Sequence, residues 1–246
     1  MKSKDIAIVG ILLAIGAILR YFLAMLHTPL TPNMIIAFYC LAIILIQPKV
    51  YEALGIGIVA GALSMMISSS MFPPANLISE PIGALVCFGL YAIALKIKGT
   101  KSGIEKFKPH LAGISVFVIT IIVLYLLTIQ IQNIYKLDIS QVFGILLALE
   151  ILAGCLIGYF TYATVKKGSI VAPAFVTFLT TLASGFSFAA IAIIAVGATV
   201  LSKYNGNLWN FVIVFVPIVV ITAVFNAVVV QILYIPSSRV LVRGQE

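Results

Sequence analysis

Eight apolar runs, at about 5–26, 33–47, 51–71, 79–97, 111–131, 141–164, 170–201 and 208–235, take up most of the 246-residue sequence. A helix needs about 20 apolar residues to cross the hydrocarbon core of a bilayer. Seven of the runs approach or exceed that length. The second is shorter and follows Pro29 and Pro32, so it reads as a tilted or partial span. Only 9% of residues are charged, against roughly a quarter in soluble domains. So few charges cannot cover a water-facing surface of this size. The expected fold is therefore an all-α, polytopic transmembrane helical bundle of about eight spans, forming a single membrane domain over 1–246.

The placement of charge orients the bundle. With the N-terminus inside and one crossing per run, twelve of the 15 basic residues fall in inner segments. Only Lys136 and Lys203 fall outside, and Arg20 lies within the first run. This positive-inside bias puts both termini in the cytoplasm. Adding or removing one span would scramble the sorting. The opening Met1-Lys2-Ser3-Lys4 has the charge of a signal peptide, but the run behind it is long enough to be a retained first helix. The basic stretch 96–110 reads as an inner loop beside anionic headgroups.

Several chemistries lack their residues. There is no HExxH, GxSxG or Walker lysine loop, and His27 and His110 fall on opposite sides of the membrane. Cys40, Cys87 and Cys155 stand alone on separate runs. These features argue against an enzyme, a metal site or a cofactor held by this chain. The net charge of +8 is explained by the inner loops and not by nucleic acid.

What remains is polar residues at outer depth. Outer loops 27–33 and 72–78 are stiffened by proline. Near them lie Asn33, Phe72, Asn76, Ser79, Glu80, Ser184, Ser187 and Asn226, which could line one outward-facing cavity; each could equally be a local cap or an interhelical hydrogen bond. Arg20 is the single embedded base. It can pair with Glu80 or Glu150, or the charges can hold a ligand carrying an ammonium and a carboxylate. Small residues recur on three helices: Gly10, Ala14 and Ala17; Ala53, Gly57 and Gly61; Gly154 and Gly158. Such stripes let helices approach closely, within a chain or between chains. The first helix is the expected partner contact.

Residues 31–95 resemble the integral substrate-binding (S) components of energy-coupling factor (ECF) transporters, nearest the tryptophan type. The resembling stretches are Thr31–Ile36, Leu54–Ser64 and Phe72–Ala84, with Leu182–Phe186 and Val216–Ala227 further on. The resemblance implies a six-helix protein that binds a vitamin or amino acid from outside. It also implies a transmembrane coupling subunit, docked on Gly10, Ala14 and Ala17, and two ATPase subunits that use the ATP. Two departures accompany it. Eight runs exceed six spans, so 5–97 and 170–235 would form the S-component core and 100–166 an inserted hairpin carrying Glu150. Ser79-Glu80 also stands where the tryptophan type has an Asp-Lys pair, a reversal of charge at the expected pocket edge that counts against tryptophan as the substrate. The competing readings are a secondary carrier or channel coupled to an ion gradient through Glu150 and Arg20, and an intramembrane enzyme using Glu80 or Glu150.

Overall fold

The computed structural model describes residues 1–25, 33–70, 72–98 and 172–243, together with scattered positions between 110 and 162. All regular structure among them is helical. The helices are α1 (Ser3–Met25), α2 (Met34–Ile46), α3 (Val50–Ile67), a 3-10 turn (Pro73–Ala75), α4 (Asn76–Lys98), α5 (Ala172–Ser202) and α6 (Leu208–Arg243). Five are long and apolar enough to cross a membrane: α1, α3, α4 with the 3-10 turn, α5 and α6. The protein is an all-α polytopic bundle.

The second apolar run becomes α2, with 13 residues. At about 1.5 Å per residue it falls well short of the ~30 Å hydrocarbon thickness. Its eleven residues from Met34 to Ile44 are all buried, on every side of the helix. A helix apolar all round belongs inside a bundle. Here α1, α3 and α5 pack on it, so lipid does not reach it. It starts behind Asn33 and ends where Gln47 takes a left-handed conformation (φ 51°), after which Pro48 prevents continuation.

Small residues set the closest approaches. A Cβ on Gly57 would lie 2.7 Å from the Pro81 Cα, and one on Gly61 would lie 2.6 Å from the Asn76 carbonyl oxygen. The stripe Ala53, Gly57 and Gly61 is therefore internal and brings α3 onto the start of α4. The stripe on α1 behaves differently. Val9, Leu13 and Gly16 are its buried residues, whereas Gly10 and Ala14 are exposed and Ala17 is half-buried. Nothing lies within 4 Å of a Cβ placed on Gly10.

The long helices carry breaks. Val196 leaves helical geometry inside α5 (φ −139°, ψ 35°). A turn at 203–207, with Gly206 at φ 69°, separates α5 from α6.

The chain forms two compact units. The first comprises Met1–Ile97, Ala172–Val212 and Ile218–Glu246; the second comprises Lys98–Val171 and Ile213–Pro217. In the second unit the described positions from His110 to Ile129 and from Leu147 to Tyr162 are helical. They meet at glycines: Gly154 sits on Phe117 and Ile121, and Gly158 on Gly113 and Phe117. Most of the runs 111–131 and 141–164, with Glu150 and the loop 99–109, lies outside the described residues.

Candidate functional site

A carboxylate lies at the centre of the first unit. Glu80, in the second turn of α4, is 1% exposed. An ionisable group so placed needs hydrogen-bonding partners, because nothing else replaces its hydration. Three other elements supply them. Asn33 donates from Nδ2 to one carboxylate oxygen at 2.5 Å. Ser184 of α5 donates from Oγ to the other at 3.0 Å. Arg20 of α1 stands within electrostatic reach of the same group.

Local sequence explains why these side chains are free to converge. Asn33 is the residue before α2, where an amide usually caps the first turn. Here it makes no capping hydrogen bond (φ −74°, ψ 88°) and turns to Glu80 instead. Glu80 is fixed by what precedes it: Pro73 and Pro74 form the 3-10 turn, and Asn76 closes it by donating to the Pro73 carbonyl at 2.8 Å. Gly83, one turn along α4, leaves room for α2 and α5. A Cβ there would run into the Tyr39 hydroxyl and lie 3.1 Å from the Ser184 Cβ.

A second layer joins α6. Asn226, fully buried, donates from Nδ2 to the Asn33 carbonyl at 3.2 Å and to Thr181 Oγ1 at 3.3 Å. Thr181 passes its own proton back to the Thr177 carbonyl at 2.9 Å. Yet several buried polar atoms around this layer have no partner: Arg20 Nη1, Asn33 Oδ1, Ser79 Oγ and Asn226 Oδ1. Buried groups in native proteins are nearly all satisfied, so a cluster of exceptions needs an explanation. Among the described residues, no ion pair joins Arg20 to Glu80.

The structure thus brings together Arg20, Asn33, Glu80, Ser184 and Asn226 from five helices and their ends. Ser79 is fully buried, Phe72 is half-buried where the 3-10 turn begins, and the Asn76 side chain is spent on that turn. Tyr39 and Thr181 were missed in the sequence. Thr181 had a signal: Thr177, Thr180, Thr181 and Ser184 recur at helical spacing, and all four are buried. Tyr39 had none, inside a short run that reads as apolar throughout. The outer aromatics Tyr21, Phe186 and Trp209 are exposed to the extent of 54%, 45% and 72%, as an interfacial belt requires. Among the described residues no three His, Cys, Asp or Glu side chains gather as metal ligands.

Residues 2–167 match the family described as "Tryptophan transporter TrpP". The chain belongs to this family. The matched stretch takes in Arg20, Asn33 and Glu80, while Ser184 and Asn226 lie beyond its end. A relative from Bacillus subtilis (strain 168), described as "Probable tryptophan transport protein", is 31% identical over 103 residues. That alignment covers 41% of this chain and 58% of the relative. No solved structure matches. Family and apolar helices together make the chain a multi-pass protein of a prokaryotic cell membrane, in a family of transporters.

Proposed function

We propose that the chain is the substrate-binding subunit of an ATP-driven, ECF-type uptake transporter for an amino acid, with tryptophan as the substrate. The observation that carries the reading is a buried Glu80 carboxylate with the partly buried Arg20 within electrostatic reach and no ion pair between them among the described residues. An amino acid offers the two complements: an ammonium for the Glu80 carboxylate and a carboxylate for the Arg20 guanidinium, whose Nη1 has no partner. Small-molecule sites use a few converging polar groups to fix a ligand, and this cluster supplies such groups. Asn33, Ser184 and Asn226 orient it, and Phe72 with Ser79 borders it. Tryptophan is favoured over other amino acids by the family and by the printed description of the relative. Energy comes from elsewhere, through a coupling subunit docked on the open Gly10/Ala14 face of α1 and two ATPase subunits. In this reading the first compact unit is the S-component core and residues 100–166 are an inserted hairpin.

Reconstituted vesicles test it. The purified chain alone should bind L-tryptophan saturably but accumulate none. Accumulation should appear when the coupling subunit, the ATPases and ATP are added. Accumulation by the chain alone under an ion gradient would establish the secondary-carrier reading in its place.

A further inference from the structure

The two ends of the Asn226 side-chain amide have unequal surroundings. Nδ2 donates twice, to the Asn33 carbonyl at 3.2 Å and to Thr181 Oγ1 at 3.3 Å. Oδ1 is buried, and among the described residues nothing donates to it. Which end of an asparagine amide is oxygen has to be argued from its partners, and here they settle it. The Asn33 carbonyl is a pure acceptor, so the atom facing it carries the protons. Thr181 gives its own proton to the Thr177 carbonyl at 2.9 Å, so its oxygen also accepts from Asn226. The chain of bonds runs one way and leaves an acceptor without a donor at its head.

That acceptor faces the bundle interior. Asn226 is wholly buried and shares its face of α6 with the buried Val219, Ala223 and Val230, at i−7, i−3 and i+4. An unmet acceptor in such surroundings is costly, because it has given up water and gained nothing. Its place relative to Glu80 is set by one residue. Asn33 meets Glu80 through its side chain and Asn226 through its own carbonyl. The two are one asparagine apart, a span that an aromatic amino acid covers from its ammonium to the far edge of its ring. The unpartnered Asn33 Oδ1 belongs to the other end: it sits on the amide that meets Glu80, where an ammonium has three protons to give.

We infer that Asn226 Oδ1 accepts the ring N–H of the ligand and so makes the site selective for an indole. This rests on the amino-acid reading of Glu80 and Arg20 and adds a third anchor to it. A pure acceptor selects a group that donates and carries no lone pair of its own. The phenylalanine ring and aliphatic side chains donate nothing. A tyrosine hydroxyl, a histidine ring or a side-chain amide brings lone pairs along with its proton. Among uncharged side chains, the indole N–H of tryptophan is donor only.

The test compares L-tryptophan with 3-benzothienyl-L-alanine, in which sulfur replaces the ring N–H and the amino-acid head is unchanged. Binding to the full chain in detergent is measured by titration calorimetry for the wild type and for Asn226→Ala. The wild type should favour tryptophan by about tenfold, because the analogue leaves a buried acceptor unmet. In Asn226→Ala that preference should vanish. Preference for tryptophan over 3-indolepropionate, which reads the ammonium at Glu80, should persist. Thr181→Val is the second variant: it keeps Asn226 and removes one of the two oxygens that orient its amide, so the preference should fall below that of the wild type. Equal binding of tryptophan and the sulfur analogue by the wild type would overturn the inference, with water then donating to Oδ1, and would leave the amino-acid reading standing. So would a preference that survives Asn226→Ala or, should that variant not fold, one that survives Thr181→Val intact. Absence of tryptophan binding to the wild type would overturn the amino-acid reading and this inference together.

Discussion

Asn33 and Glu80 meet through a 2.5 Å hydrogen bond that ties the residue before α2 to the second turn of α4. The bond joins two stretches that lie 47 residues apart in sequence. It gives one hydrogen bond to a carboxylate that is almost wholly removed from solvent. Asn33→Leu should therefore remove one donor from Glu80 and destabilise the chain by about 1–3 kcal/mol. Thermal unfolding in detergent checks this, and an unaltered melting temperature would show that the bond is dispensable.

Gly83 is the position where the site is most tightly built. Its missing side chain is what lets the Tyr39 hydroxyl and Ser184 reach α4. Gly83→Ala should cost about 1–3 kcal/mol of stability through overpacking, and tryptophan affinity should fall with it. Retention of both would mean that Tyr39 swings aside freely.

The two glycine-bearing stripes should respond oppositely. Gly57→Ala drives a Cβ against the Pro81 backbone and should destabilise the isolated chain by about 1–3 kcal/mol. Ala14→Leu lies on an open face, so stability and ligand binding should change by less than about 0.5 kcal/mol. Co-purification with the coupling subunit should nevertheless be lost, because a leucine holds helices apart. Loss of ligand binding with intact assembly would place the stripe inside the chain's own packing.

Orientation follows from charge alone and is checked separately. In a background without native cysteines, a cysteine replacing Asn205, in the α5–α6 turn, should label from outside. One replacing Ser102 should not. The reverse pattern would invert the topology.

The fold class was legible because lipid solvation leaves a strong signal in composition and run length. The short second run gave the right warning: α2 has 13 residues and is buried instead of lipid-facing. Asn33 and Glu80 were legible by depth, as both lie near the outer ends of their runs; Ser184 and Asn226 lie well inside the runs 170–201 and 208–235 and stood out as polar residues in apolar helices. Which of them would touch was not, because their contacts depend on helix rotation, and runs this uniformly apolar carry little rotational signal. The same limit hid Tyr39. Asn76 shows the converse: in sequence it looks like a pocket residue, whereas its amide is committed three residues back, to Pro73. Glycine spacing marked three stripes without saying which faced inward; only the neighbours of α1 and α3 distinguish them.

The most direct test of the central claim compares ligands as well as proteins. Binding of L-tryptophan and of 3-indolepropionate, which lacks the ammonium, is measured by titration calorimetry on the wild type and on Glu80→Gln. If Glu80 holds the ammonium, the wild type should favour tryptophan by tenfold or more, equivalent to about 1.4 kcal/mol. In Glu80→Gln that ratio should collapse towards one even if overall stability changes. A ratio that is the same in both proteins would contradict the account and leave Glu80 as a structural partner of Asn33 and Ser184.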